Sequence, residues 1–144
     1  MSTRALICDT GALLDYLVRD APDHERFREA IDRARTRYVP ALVLAEVDYF
    51  LRDEREAMGA LMSELARGAF TFAPASMPLL VRAMEIDKKH SDLRLGLVDT
   101  SIVALAERVG VTRIATRDVR HFSAVRLRNG RSFELVVVPS RPDE

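Results

Sequence analysis

Short apolar runs alternate with longer amphipathic stretches along this chain, and the alternation predicts strands that are each followed by helices. The first apolar run, Ala5 to Cys8, predicts a strand. The stretch that follows, Thr10 to Arg19, carries a set of apolar residues on one helical face: Leu13, Leu14, Leu17 and Val18. Repeats of this kind are typical of a parallel sheet covered by helices, so the pattern predicts an α/β fold.

The rest of the chain continues the same alternation without a repeat or a Gly/Ser-rich linker. Four further strands are predicted over residues 37–39, 70–72, 113–115 and 134–138. Five further helices are predicted over residues 22–35, 41–51, 54–67, 76–90 and 98–109. Gly68 and Gly110 follow the ends of two of these helices, as glycine commonly does. We therefore expect one domain over residues 1–138 and a short C-terminal tail over residues 139–144.

Composition excludes several classes of protein. A chain of 144 residues that is 48% hydrophobic is large enough to bury a core without disulfides or metal staples. Its longest uncharged apolar stretches fall far short of the roughly 20 residues that a membrane span needs. The N-terminus has no signal-peptide pattern, and Cys8 is the only cysteine. These features favour a cytoplasmic protein that does not bind membranes.

A net charge of zero conceals an uneven distribution of charge. Residues 1–107 contain 14 basic and 18 acidic side chains, whereas residues 108–131 contain seven arginines and a single acid, Asp118. Arginine outnumbers lysine 20 to 2. Because the guanidinium group binds phosphate through a planar fork, this bias is compatible with a phosphate-bearing partner. GC-rich codon usage gives the same bias without any function.

Four carboxylates lie at positions where the predicted fold would place a site. Asp9 directly follows the first strand and Asp118 follows the fourth, and ligands of open parallel sheets bind beyond such strand ends. Glu46 has apolar neighbours three and four positions away in its helix, so we expect it to face the core. Asp99 lies near the start of the helix over residues 98–109 and shares a face with apolar residues.

Each of these acids also has a purely structural interpretation. Asp9, Asp99 and Asp118 could each cap a helix, and Glu46 could pair with an arginine. Taken together they favour a site, because two like charges about 4 Å apart repel by roughly 4 kcal/mol at an effective dielectric constant near 20. A cluster of carboxylates needs a counter-charge. Oxygen ligands without a nearby set of cysteines or histidines favour Mg²⁺ or Mn²⁺ over zinc.

Four sequence blocks resemble PIN-domain proteins, specifically the VapC toxins of bacterial toxin-antitoxin pairs. Their order, spacing and flanking residues agree over essentially the whole chain. The blocks are ICDTGALL (7–14), PALVLAEV (40–47), LGLVDTSIVALAE (95–107) and IATRDVRHF (114–122).

The resemblance implies a central, mostly parallel five-stranded sheet flanked by helices, that is, an α/β/α sandwich. It also implies an endoribonuclease that depends on Mg²⁺, with Mn²⁺ able to substitute, in which water attacks the phosphodiester. Asp9, Glu46, Asp99 and Asp118 match the four acids of the family, with Asp9 and Asp99 as the principal metal ligands. The family usually has serine or asparagine where Gly11 stands, which puts a role for position 11 in doubt.

The resemblance further implies protein partners. A VapB-type antitoxin would inhibit the enzyme, and its C-terminal segment would cover the acidic site. VapC proteins also form homodimers and larger hetero-oligomers with their antitoxins. The strongly apolar stretch Ala41 to Phe50 would supply such a contact, and burial of this stretch inside the domain is the alternative.

Residues beside the acids are candidates for contact with RNA. Thr10 and Thr116 could hydrogen-bond the acids or a phosphate, or act only as turn residues. Arg117, like Arg113 and Arg120, could bind the RNA backbone or form salt bridges with the acidic part of the chain. The three histidines, His24, His90 and His121, lack metal-ligand spacing, and we expect structural or surface roles for them.

Two other functions stay open at this point. One is a receiver-like, Mg²⁺-binding signalling module, which shares a parallel α/β fold with an acidic pocket. Against it, Asp9 has no preceding acidic pair, and the last strand has no lysine near its end. The other is a catalytically silent PIN-like domain that binds RNA or protein.

Overall fold

The computed structural model describes residues 4–140, and within this range the chain forms five strands and seven helices. The strands are β1 (Ala5–Cys8), β2 (Thr36–Pro40), β3 (Thr71–Ala73), β4 (Arg113–Ala115) and β5 (Glu134–Leu135). The helices are α1 (Thr10–Leu17), α2 (His24–Arg33), α3 (Ala41–Phe50), α4 (Arg55–Ala66), α5 (Met77–Lys89), α6 (Gly96–Val109) and α7 (Val119–Ala124). A single 3₁₀ turn, Ser91–Leu93, connects α5 to α6.

The strands form one parallel sheet in the order β3-β2-β1-β4-β5. The chain moves outward from β1 to β3 and then returns across β1 to reach β4. The strand order therefore reverses at the β1/β4 pair, where Ile7 lies opposite Ile114 and Cys8 lies opposite Ala115. This reversal is the point at which open α/β sheets bind ligands.

Helices cover both faces of this sheet, because crossovers between parallel strands are right-handed and their direction changes at β1. The central strands are accordingly apolar on both sides: Ile7, Cys8, Ile114 and Ala115 are completely buried. Helix α6 packs closely on α5 and buries Ile102 against the core. The α/β fold predicted from the sequence is confirmed. Within residues 4–140, no helix combines the length and the apolar character needed to cross a bilayer.

Most element boundaries lie within two residues of the predicted ones, and three differences bear on the site or the sheet. Helix α6 begins at Gly96, two residues before the predicted start at Val98. Strand β5 ends at Leu135 instead of residue 138, because it pairs only with β4, which is itself three residues long. Helix α7 was not among the predicted elements, since its six residues are too few to show a helical period.

Candidate metal centre

The candidate site lies at the carboxyl ends of β1 and β4, which are adjacent in the sheet. Asp9 is the first residue after β1, and its backbone N–H donates to the carbonyl of Ala115 at 2.9 Å, so the two strand ends are bonded directly. Thr116 and Asp118 follow β4 immediately. The parallel register therefore brings together residues that are more than 100 positions apart in the sequence.

Asp9 is held in place by hydrogen bonds to both of its carboxylate oxygens. The backbone N–H of Thr10 donates to Oδ1 at 2.7 Å, and the buried hydroxyl of Thr116 donates to Oδ2 at 2.6 Å. Burial raises the pKa of Asp9 to about 6 despite these bonds, and the charges of Glu46 and Asp118 add to the increase. The first of these bonds also caps α1, so the capping role expected of Asp9 is confirmed and coexists with its place in the site.

Glu46 reaches the site from α3, where the hydroxyl of Thr10 donates to its Oε1 at 2.5 Å. The prediction that Glu46 faces the core is wrong, since this residue is only half-buried. Its apolar neighbours Tyr49 and Phe50 are 59% and 55% exposed. That helical face is therefore not covered by the rest of the domain, and Glu46 lies at the edge of a cleft.

Asp99 enters the site from the first turn of α6. Because that helix begins at Gly96 and Leu95 holds the capping position, the alternative of Asp99 as an N-cap is wrong. Its side chain is 18% exposed. Burial raises the pKa of Asp99 to about 8, and the charges of Asp9, Asp118 and Glu46 contribute to the increase. The carboxylates are therefore close enough to oppose one another's ionisation.

Asp118 occupies the N-cap of α7, as the capping interpretation predicted. Its Oδ1 accepts the backbone N–H of His121 at 3.1 Å, and its own N–H donates to the Thr116 hydroxyl at 2.9 Å. Its Oδ2 lies 2.7 Å from Nδ1 of His121. Thr116 thus connects Asp9 and Asp118 through one buried hydroxyl, which fixes the two acids relative to each other.

His121 is the functional candidate that the sequence interpretation missed. Its Nδ1 lies 3.6 Å from Oδ2 of Asp99 as well as beside Asp118. One ligand atom from each of these three residues lies within 4.8 Å of the others. The missing signal was the i, i+3 spacing of Asp118 and His121, which places both on one face as soon as α7 is recognised as a helix.

The four predicted acids line one cleft of about 410 Å³. Its lining residues are Asp9, Thr10, Gly11, Leu14, Asp15, Glu46, Phe50, Asp99, Arg117 and Asp118. The set fits a divalent cation, because hard oxygen donors converge there and the raised pKa values of Asp9 and Asp99 indicate a need for positive charge. The observed lining therefore suits a hard divalent cation.

The two threonines beside the acids act as donors to carboxylates: Thr10 donates to Glu46 and Thr116 to Asp9. A hydroxyl has a single proton to donate, so these bonds use the donor of each side chain. Of the roles expected for them, the contact with the acids is the one present here. Contact of Thr10 and Thr116 with RNA stays a prediction.

Arg117 forms a buried ionic cluster in the wall of the cleft. Its Nη1 lies 2.6 Å from Asp15 and 2.9 Å from Asp23, and the three side chains are 11%, 8% and 2% exposed. Ser140 completes the cluster by donating to Asp23 from both its backbone N–H and its hydroxyl. The predicted tail over residues 139–144 is thus anchored at Ser140, and residues 141–144 lie outside the described range. Salt bridging, one of the two alternatives for Arg117, is present.

Gly11 packs against the aliphatic part of Arg117. A Cβ added at position 11 would lie 3.0 Å from Cγ and 3.2 Å from Cδ of that arginine. The arginine side chain therefore occupies the space that a larger side chain at position 11 would need.

We expect Gly11→Ala to reduce the free energy of unfolding by about 1 to 3 kcal/mol, because the ion pairs prevent Arg117 from moving aside. An Arg117→Ala background removes the contacts with Cγ and Cδ but keeps the one with Cβ at 3.2 Å, so the same change should destabilise less there. Urea denaturation of the four proteins measures both effects. Gly59→Ala in α4, where a Cβ would meet nothing within 4 Å, is the control and should stabilise. An equal effect of Gly11→Ala in both backgrounds would exclude the steric contact.

The family model described as PIN domain matches residues 6–127. Ribonuclease VapC26 of Mycobacterium tuberculosis is 38% identical over 134 residues, which cover 91% of this chain and 99% of that protein.

Two solved structures share the fold. VapC20 of Mycobacterium tuberculosis, a toxin that cleaves the sarcin-ricin loop, has a TM-score of 0.67 at 17% identity, covering 76% of this chain and 86% of that one. VapBC2 from Rickettsia felis, bound to a DNA fragment from their promoter, has a TM-score of 0.63 at 15% identity, covering 84% of this chain and 92% of the matched chain. At these identities the likeness concerns the architecture.

Proposed function

Because this chain belongs to the VapC family of PIN-domain proteins, we propose that it is an endoribonuclease toxin that hydrolyses RNA phosphodiester bonds with a divalent cation. The observation that carries the proposal is the convergence of Asp9, Glu46, Asp99 and Asp118 on one cleft at the strand reversal. The name of the relative, Ribonuclease VapC26, supports ribonuclease activity for this chain.

Asp9 and Asp99 would be the principal ligands of the cation, and Asp118 and Glu46 would complete the site directly or through water. A bound divalent cation lowers the pKa of water and neutralises negative charge that develops on the phosphate. Mg²⁺ is the expected ion, with Mn²⁺ able to replace it. Thr116 would keep Asp9 and Asp118 oriented, and Thr10 would do the same for Glu46.

The residues around the acids would bind and orient the substrate. The cleft is open to solvent along α3, so a phosphodiester can approach the carboxylates from that side. Thr10, Thr116 and Arg117 remain the proposed RNA contacts. Because the Arg117 guanidinium already binds the carboxylates of Asp15 and Asp23, these neutralise part of the positive charge with which it would attract the RNA backbone.

A VapB-type antitoxin is the proposed inhibitor. The name of the structural neighbour VapBC2 supports a toxin-antitoxin complex, and here the exposed Phe50 lines the acidic cleft itself. An antitoxin segment that packs on this apolar edge would also cover the carboxylates. The same exposed end of α3 is the proposed homodimer contact, with larger hetero-oligomers forming around the antitoxin.

Cleavage of total RNA by the folded, antitoxin-free protein tests the proposed activity. We expect discrete products with Mg²⁺, none with EDTA, and recovery when excess Mg²⁺ is added back. Mapping the product ends should reveal 5′-phosphate and 3′-hydroxyl groups and would identify the cleaved RNA. Intact RNA in every reaction would reject the nuclease and leave a silent PIN-like binding protein.

A further inference from the structure

We propose that His121 is a nitrogen ligand of the divalent cation at the Asp99 and Asp118 side of the cleft, and that it shifts the metal preference of the site from Mg²⁺ towards Mn²⁺. The inference rests on the proposed function, because it concerns the cation of the same site. His121 lies outside the set of four acids, and its nitrogen would change which divalent cation the site prefers.

The separations between the donor atoms suit a shared ion. Two ligands on neighbouring corners of an octahedron, each about 2.1 Å from the ion, lie about 3 Å apart. Nδ1 of His121 lies 2.7 Å from Oδ2 of Asp118 and 3.6 Å from Oδ2 of Asp99. The first separation is slightly shorter than 3 Å and the second slightly longer, and small rotations of the side chains would make them equal.

The imidazole is presented to the acids by a rigid element. Phe122, the next residue, is completely buried and stacks edge-to-face on Phe133 with ring centroids 5.4 Å apart. Asp118 fixes the other end of the same turn by accepting the backbone N–H of His121. The side chain of His121 is 20% exposed, so its orientation is set by packing.

Ligation requires a neutral imidazole with its proton on Nε2 and the lone pair of Nδ1 directed at the ion. Asp99, Asp118 and His121 would together hold the ion, with Nδ1 as the ligand atom of the histidine. No bond to carbon or phosphorus changes in this step.

A nitrogen donor changes the selectivity of an otherwise oxygen-lined site. Mg²⁺ strongly prefers oxygen ligands and gives up water reluctantly. Imidazole instead suits first-row transition metals, for which affinity rises along the series that begins with Mn²⁺. A site that contains Asp99, Asp118 and His121 should therefore discriminate in favour of Mn²⁺ more than a site of four carboxylates would.

Pulsed EPR of the protein loaded with one equivalent of Mn²⁺ tests the ligation directly. We expect nuclear modulation from a coordinated ¹⁴N in the wild-type protein, replaced by ¹⁵N modulation when the histidines carry ¹⁵N. His121→Asn should remove this modulation, because an amide coordinates through oxygen. His24→Asn should retain it, since His24 contacts the carbonyl of Asp15 at the far end of α1.

Equilibrium titrations measure the second part of the proposal. His121→Asn should reduce the ratio of Mn²⁺ to Mg²⁺ affinity by about tenfold, as loss of a ligand or of its close support usually does. Circular dichroism checks that the variant is folded.

The possible failures are distinct. Bound Mn²⁺ without nitrogen modulation, or modulation that persists in His121→Asn, overturns the role of His121 and leaves the proposed nuclease intact. Absence of Mn²⁺ binding together with absence of RNA cleavage overturns both.

Discussion

Asp99→Asn is expected to reduce RNA cleavage by about 10³-fold or more and, at the same time, to stabilise the metal-free protein. The first effect follows from loss of a principal metal ligand. The second follows because burial, together with the charges of Asp9, Asp118 and Glu46, raises the pKa of Asp99 to about 8. A neutral amide of the same shape removes that repulsion, whereas a residue needed only for folding would lower both activity and stability.

The stabilisation should depend on pH with a defined sign. In the unfolded chain an aspartate titrates near pH 3.9, so below about pH 4 Asp99 is protonated in both states and contributes no difference. As the pH rises towards 8, the unfolded chain loses this proton while the folded protein, with a pKa of about 8, retains it. The unfolding free energy of the wild type therefore falls over this range. Asp9, whose pKa is raised to about 6, adds to the fall at the lower end.

Urea denaturation in EDTA at pH 4, 6 and 8 measures this slope. At pH 8 we expect Asp99→Asn to be more stable than the wild type by on the order of 2 kcal/mol, since each unit between the folded and unfolded pKa corresponds to about 1.4 kcal/mol and residual solvent exposure reduces the total. Near pH 4 the two proteins should be equally stable. Asp20→Asn, a change at an exposed aspartate outside the cleft, is the control and should alter neither activity nor slope.

Retained cleavage in Asp99→Asn would remove Asp99 from the proposed mechanism. A stability difference that is independent of pH would show that the four carboxylates do not repel one another in solution. Added Mg²⁺ or Mn²⁺ should increase the free energy of unfolding of the wild type at pH 8. The increase should be much smaller for Asp99→Asn, because the cation binds tightly only when all four carboxylates are present.

The sequence predicted the site best where an acidic residue directly follows a strand, because the parallel sheet determines where the end of that strand lies. Asp9 and Asp118 follow apolar runs, and the parallel sheet necessarily places the ends of β1 and β4 at one edge. Helical periodicity was less informative for Glu46. Apolar neighbours show that a helix has an apolar face, but they do not show whether the domain covers that face, and Tyr49 and Phe50 are exposed here.

His121 and the Arg117 cluster could not be derived in the same way. The role of His121 depends on a six-residue helix, whose existence is determined by the Asp118 cap and the burial of Phe122. Asp15 and Asp23 meet Arg117 only after α1, α2 and β4 have packed together, a contact between residues about 100 positions apart. No local pattern encodes such a contact, because each partner alone resembles an ordinary surface charge.

Arg117→Ala is expected to lower the free energy of unfolding by about 3 to 5 kcal/mol, because it breaks the buried ionic cluster of Arg117 with Asp15 and Asp23. The change leaves Asp15 and Asp23 buried without their cation. Burial already raises the pKa of Asp15, and at Asp23 the hydrogen bonds from Arg117 and Ser140 outweigh burial so that its pKa is lowered. Urea denaturation at pH 7 measures the loss. Arg120→Ala, at an exposed arginine three residues away, is the control and should change stability by less than about 0.5 kcal/mol.

A triple variant distinguishes a buried ion-pair role from direct contact with RNA. In Arg117→Met combined with Asp15→Asn and Asp23→Asn, charge and partner are removed together, so most of the lost stability should return. If Arg117 also binds the RNA backbone, this folded variant should show a shallower dependence of RNA affinity on salt than the wild type. An unchanged salt dependence would limit Arg117 to holding β4 and α1 together. A triple variant as unstable as Arg117→Ala would instead mean that the unpaired carboxylates of Asp15 and Asp23 do not cause the loss of stability in Arg117→Ala.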